Sequence, residues 1–281
     1  MTLTTQPLCN PLKSLTVPSV GQVAYRAGGS RDAAPLVLLH GVGMQSAAWS
    51  PQLAMLSQTH HVIALDLPGH GGSAPLPNGA ALSDYVAWLH EVLTYLDLGP
   101  VNLAGHSMGA LIAGGYAVAH PDQLARVALL NGVFERSLTA RQAVEARADD
   151  ILKGQFDLET PLARWFGASA FEQGICAQVS GWLSSVDPNG YATAYGAFAR
   201  GDAHYADRFA GIAAPLLALT GADDPNSTPE MSLAMADRAQ NGQAVIIEGH
   251  RHMVNLTAPE QVNSALATWL LRPIEERQSD E

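Results

Sequence analysis

Short apolar runs recur along this chain, separated by amphipathic or small-residue stretches. Leu36-Val37-Leu38-Leu39, Val62-Ile63-Ala64-Leu65, Val101-Asn102-Leu103-Ala104, Val127-Ala128-Leu129-Leu130, Leu216-Leu217-Ala218-Leu219 and Ala244-Val245-Ile246-Ile247 lack the polar alternation of a half-exposed strand. Such runs suit strands buried on both faces of a sheet. Parallel strands need long crossovers, and the helical stretches between the runs supply them. The pattern therefore predicts an α/β fold with a mostly parallel central sheet flanked by helices, with antiparallel edge strands added ahead of it from Val17 to Ala27.

The alternation stops between Val133 and Phe209, where no buried strand is predicted. The segment reads as helical and aromatic, with Trp165, Phe166, Phe171, Trp182, Tyr191, Tyr195 and Phe198. We expect a helical cap over residues 133–209, inserted into a core domain formed by residues 1–132 and 210–281. Most of these aromatics are expected to fill the cap's own core. Trp165, Tyr191 and Tyr195 are the candidates to face a substrate pocket.

Composition narrows the picture without identifying a substrate. With 281 residues, 47% hydrophobic and 15% charged, the chain is long enough for one large α/β domain and too apolar to be disordered. A formal net charge of -11 with no basic cluster argues against a nucleic-acid partner. Met1 to Ser14 lacks the apolar core of a secretory signal, and no stretch is long and apolar enough for a membrane span. A cytoplasmic location is the default expectation. Cys9 and Cys176 are too few and too far apart for a disulfide framework or metal site, and are expected to be reduced thiols. The tail from Arg272 is expected to fray, and the oligomeric state is open, a homo-oligomer included.

Chemistry enters at Gly105-His106-Ser107-Met108-Gly109, between the run Val101 to Ala104 and a small-residue helix from Ala110 to about Ala119. The pattern G-x-S-x-G puts a serine on a strained strand-to-helix corner, with glycines where the helix presses on neighbouring strands. Five residues alone are a cheap match in a chain with 26 glycines; the flanking strand and helix give the match its weight. Serine also needs a base and a carboxylate to orient that base. Asp223 and Asp224 follow the strand ending at Thr220, and His250 and His252 follow the strand ending at Ile247. Both pairs lie at carboxyl ends of strands, the edge where open α/β sheets bind ligands.

The order serine, acid, histidine is that of α/β-hydrolases, and the chain resembles that family from about Val20 to Leu271. His40-Gly41-Val42-Gly43 is similar to the family's oxyanion loop. Asp66-Leu67-Pro68-Gly69-His70-Gly71-Gly72-Ser73 is similar to its loop after the next strand. The resemblance selects Asp224, by its spacing from Gly221, over Asp223, and His252, from Gly-x-x-His followed by Met, over His250. Asp223 is then a solvated loop charge, and His250 lies at the rim or bonds locally. Asn131, where some members carry the acid, cannot serve as one. For the oxyanion hole the resemblance implies the N–H groups of Met108 and Val42, with Gly43 next in line. Gly41 and Gly43 join the aromatic candidates as substrate contacts. His40 and His70 are expected to be structural, and His106, His120 and His204 have no partner legible in the sequence.

A serine at the elbow excludes the aspartate nucleophile of dehalogenases and epoxide hydrolases with this fold. The expected reaction is acyl transfer to water, requiring no metal or organic cofactor, with activity rising as His252 loses its proton. Asp187-Pro188-Asn189-Gly190-Tyr191-Ala192, Ala197-Phe198-Ala199-Arg200-Gly201-Asp202 and the closing Ala258-Pro259-Glu260-Gln261-Val262-Asn263 resemble 3-oxoadipate enol-lactonases. That implies a small-molecule carboxylic ester or lactone substrate, in aromatic-compound catabolism. Gly41-Val42-Gly43-Met44 and Met253-Val254-Asn255-Leu256 depart from carbon–carbon bond hydrolases of ring-cleavage products, which stay as an alternative beside an acyltransferase or perhydrolase and a ligand receptor. Arg164 and Arg200 are expected to be solvated surface charges rather than a clamp for a substrate carboxylate.

Overall fold

Two antiparallel strands, β1 (Lys13–Val17) and β2 (Gly21–Gly28), precede six parallel ones. These are β3 (Pro35–Leu39), β4 (His61–Leu65), β5 (Val101–His106), β6 (Leu124–Leu130), β7 (Leu216–Gly221) and β8 (Gly242–Ile247). They form one eight-stranded sheet in the order β1-β2-β4-β3-β5-β6-β7-β8. This is a computed structural model, and it describes residues 10–274. Cys9 and the tail beyond 274 lie outside the described residues.

The buried runs serve two cores at once because successive side chains point to opposite faces of a strand. Val37, Leu39, Ile63, Leu65, Leu103 and Val127 join one core, with α2 (Leu82–Leu96) and α3 (Met108–Ala119). Leu36, Leu38, Val62, Ala64, Ala104 and Ala128 join the other, with Trp49, α1 (Ser50–Leu56) and α10 (Pro259–Leu270). Between β6 and β7 the chain leaves the sheet for α4 (Leu138–Leu152), α5 (Glu159–Trp165), α6 (Ala170–Ser185) and α7 (Pro188–Gly201). Three of these open on side-chain caps, from Ser137, Ser169 and Asp187, that satisfy first-turn N–H groups. The remaining helices are α8 (Pro229–Arg238), packed on β7 and β8, and the short α9 (Val254–Thr257).

The structure departs from the predicted boundaries at sheet edges. β1 starts at Lys13, before the predicted Val17, because an edge strand exposes Lys13 and Ser14 and so does not read as a buried run. β8, expected to be buried, is partly exposed because among the described residues only β7 flanks it. β5 continues through Gly105 and His106, which pair with Leu129 and Leu130 of β6. Among the described residues no helix is long and apolar enough to cross a membrane.

Candidate active site

β3 lies between β4 and β5, so the loops leaving β3 and β5 emerge side by side at a switch point of the sheet. Leu39 pairs with Gly105, which brings the His40 to Gly43 loop next to Ser107. Ser107 has φ 55 and ψ -113, a conformation that a non-glycine residue rarely adopts. Its N–H is held by the Leu130 carbonyl at 2.9 Å. The two elbow glycines are sterically obligatory. A Cβ at Gly105 would collide with the Gly109 carbonyl, and one at Gly109 with the Leu39 carbonyl.

The loops after β7 and β8 meet at a buried pair. His252 Nδ1 lies 2.7 Å from Asp224 Oδ2, with both side chains almost fully enclosed. Asn131 Nδ2 donates to the same oxygen at 2.9 Å, and the N–H groups of Asn226 and Ser227 donate to Oδ1 at 2.8 and 3.1 Å. Burial alone would raise the Asp224 carboxyl, but the His252 ring and these donors override it and hold the group below the usual carboxylate range. Asp223 is exposed on the same loop, and His250 bonds locally to Thr257 Oγ1 at 3.1 Å. Thus Asp224 and His252, not their neighbours, are brought together.

Ser107 and His252 line a cavity of about 640 Å³. Its wall combines Gly41, Val42 and Met44 from the loop after β3 with Trp165, Tyr191, Tyr195 and Phe198 from the inserted helices. Trp165 stacks on His252 with ring centroids 5.6 Å apart. Gly43 is not part of this cavity's wall; at φ 78, a Cβ there would collide with Leu183 and crowd Tyr191. Its N–H is already given to His70 Nε2 at 2.9 Å, whereas the Val42 N–H makes no bond among the described residues. Met108 opens α3, so its N–H has no helix carbonyl to bind, and its side chain is buried. Two backbone donors are thereby free for an oxygen bearing negative charge.

The other histidines also find places. Leu67 N–H donates to His40 Nε2 at 2.9 Å, and His40 Nδ1 lies 2.7 Å from the Gly41 carbonyl, so His40 and His70 brace the two loops. His106, without a legible partner in the sequence, places Nε2 2.8 Å from the His252 carbonyl. Burial and the neighbouring His252 lower its pKa to about 3, so it stays neutral. His120 stacks on His90 at 3.9 Å, and His204 meets Tyr205 edge-on. Arg251 ties the histidine loop to α5, donating to the carbonyls of Ala163 and Phe166 at 3.0 and 2.8 Å.

The arginines divide differently from the sequence expectation. Arg200 pairs on the surface with Asp149 at 2.8 Å. Arg164 is exposed as expected, but it also borders the cavity, together with Arg136 and Arg147, neither of which the sequence singled out. Their spacing, 11 and 17 residues apart on separate elements, carries no motif.

Comparison with known proteins fits this geometry. The model of the alpha/beta hydrolase family matches residues 36–265. An (E)-2-((N-methylformamido)methylene)succinate hydrolase of Acinetobacter baylyi is 55% identical over 236 residues, covering 84% of this chain and 90% of the relative. The 3-oxoadipate enol-lactonase 2 of the same organism is 24% identical over 88% of this chain and 92% of its own length. In fold, an enol-lactonase from Burkholderia xenovorans superposes with a TM-score of 0.81 at 24% identity, covering 92% of this chain and all of that one.

Proposed function

Since the chain belongs to the alpha/beta hydrolase family, we propose that it is a hydrolase acting through an acyl-serine, with Ser107 as nucleophile, His252 as base and Asp224 as orienter. One observation carries this reading: the buried Asp224–His252 pair opens onto the same cavity as a serine held in a strained elbow. In this reading His252 Nε2 takes the Ser107 proton as Oγ attacks a carbonyl carbon. Negative charge develops on the carbonyl oxygen, which the N–H groups of Val42 and Met108 receive. Collapse breaks the bond to the leaving group, which takes the proton from His252. Water then repeats the cycle and frees the acid and Ser107.

The substrate we favour is the type named by the relative at 55% identity. In that compound Ser107 would attack the formamide carbonyl, breaking its C–N bond and leaving a formyl-serine. The ester or lactone expected from the sequence is the second reading, supported by the likeness to 3-oxoadipate enol-lactonase 2. A cavity of about 640 Å³ suits either. Helices α4 to α7 act as the cap over this site. Gly41, Trp165, Tyr191 and Tyr195 are its substrate contacts, while Gly43 shapes the loop. The enzyme works in the cytoplasm on a small diffusible molecule, without a cofactor.

Purified protein should be given (E)-2-((N-methylformamido)methylene)succinate, an enol-lactone, a dienone and short aryl esters, with products identified to read whether C–N, C–O or C–C is broken. Ser107→Ala should abolish turnover and fluorophosphonate labelling while leaving the thermal melt intact. Turnover unchanged in that variant would overturn the reading.

A further inference from the structure

Arg136, Arg147 and Arg164 line the cavity that holds Ser107 and His252, and among the described residues no Asp or Glu lines it. This reverses the balance of a chain with 15 basic residues and a net charge of -11. Three separate elements deliver the guanidiniums: the link after β6, then α4 and α5. All three act electrostatically on the phenol of Tyr195, so they converge on one region of the wall.

Among the described residues their positive charge is incompletely matched. Arg136, with its side chain only 3% exposed, pairs with Asp202 at 3.3 Å, and Arg141 approaches the same carboxylate at 3.5 Å. One buried carboxylate thus serves two guanidiniums. Arg136 Nη2 and Arg147 Nε are buried without a hydrogen-bond partner among the described residues. Arg147 Nη2 bonds only a neutral acceptor, the Asp157 carbonyl at 2.8 Å, and the Asp157 carboxylate acts on it from solvent, where screening weakens it. Arg164 has no ion pair or hydrogen bond among the described residues.

Buried donors left unpaired are costly, and a guanidinium fork is matched best by the two coplanar oxygens of a carboxylate. We infer that Arg136, Arg147 and Arg164 form a carboxylate-binding subsite that selects small dianionic substrates and holds their acyl carbon at Ser107. The inference rests on the acyl-serine reading of the same cavity, and adds what that reading lacks, a means of choosing substrates. Neutral analogues are rejected because they leave the buried Arg136 Nη2 and Arg147 Nε unpaired and offer Arg164, exposed at the rim, no charge to pair with.

Calorimetric titration with succinate and with its neutral isostere succinamide tests the subsite without any turnover. Succinate should bind at least tenfold more tightly, and added salt should weaken it. Arg147→Met and Arg164→Met should each weaken succinate about tenfold or more, the loss expected for a charge-assisted hydrogen bond. Arg136→Lys keeps a cation for Asp202 while deleting Nη2, and should also weaken it. Arg200→Met, outside the cavity, should bind like the wild type, and thermal melts check that each variant folds. Equal binding of succinate and succinamide by the wild type, or phosphate binding more tightly than succinate, overturns the subsite even if every variant misfolds. Hydrolysis without succinate binding sinks the subsite alone. Succinate binding without hydrolysis of any substrate sinks the acyl-serine reading and leaves the subsite standing.

Discussion

Replacing Asp224 by Asn tests the orienting role without changing side-chain volume. The carboxylate accepts four hydrogen bonds: His252 Nδ1 and Asn131 Nδ2 on Oδ2, and the N–H groups of Asn226 and Ser227 on Oδ1. An asparagine offers one acceptor oxygen and an NH2 group. The two backbone donors cannot turn away, so the oxygen belongs on their side and the NH2 faces His252. His252 must then accept at Nδ1 and carry its proton on Nε2, the nitrogen that takes the Ser107 proton in the proposed mechanism. In a serine protease the equivalent change lowers turnover by roughly 10⁴, or about 5.5 kcal/mol in the barrier. A similar fall in kcat is expected here.

Stability should suffer far less than activity. The Asn131 amide is held by further bonds from Nδ2 to Thr220 Oγ1 and the Arg251 carbonyl, so it keeps its orientation and loses one acceptor to the new NH2 group. A loss of about 1–3 kcal/mol is expected, the cost of a buried donor left unsatisfied. Steady-state hydrolysis and urea melts of wild type, Asp224→Asn and Asp223→Asn separate the two effects. The exposed Asp223 should be replaceable without consequence. A folded Asp224→Asn protein with kcat within about tenfold of wild type would refute the tautomer argument.

Two further outcomes follow from buried histidines and from the arginine beside His252. His40, His70 and His106 are all lowered in pKa, chiefly by burial, so the fold favours their neutral forms. Their contribution is full above the unfolded value of about 6.5 and is lost as pH falls below it, costing about 2 kcal/mol by pH 5 for a histidine that stays neutral in the fold. Urea midpoints should therefore drop between pH 7.5 and 5, and a flat profile would count against neutral buried rings. Arg251→Ala removes both bonds that join the histidine loop to α5. KM should rise severalfold with a smaller change in kcat, because the wall carrying Arg164 and Trp165 loses its anchor; an unchanged KM would show that the tie is dispensable.

Much of this architecture was legible because burial leaves a local trace. Leu36 to Leu39 and Val127 to Leu130 must be apolar on both faces, so four consecutive residues announce a central strand. The elbow is legible for a similar reason, since Gly105 and Gly109 each face a carbonyl that no side chain would clear. β1 was illegible where its polar edge residues satisfy solvent rather than a core. Sequence order alone also left Asp223 level with Asp224; the choice depends on the turn after Gly221, where Asp224 points inward to four donors and Asp223 outward. Asn131 shows the opposite limit. Read as unable to replace the acid, it instead buttresses Asp224, a role visible only once β6 and β7 lie side by side.

The arginine cluster marks where sequence reading loses its grip for a physical reason. A core position is constrained by its immediate neighbours along the strand, whereas a charge lining a cavity is constrained by what enters the cavity. Arg147 on α4 has the surroundings of an ordinary solvated helix residue, and only the approach of α5 and the link after β6 encloses it with two other guanidiniums. The elbow, the acid and the histidine are shared by many hydrolases because every acyl transfer through serine needs them. In the proposed subsite, the cavity-lining charges on α4 and α5 answer to the substrate instead. If the arginines bind carboxylates, specificity in this protein is set by an electrostatic match across the cavity rather than by the shape of its aromatic wall. Exchanging Trp165 or Tyr195 for another large apolar residue should then shift the preference among dianions far less than removing Arg147 or Arg164 does.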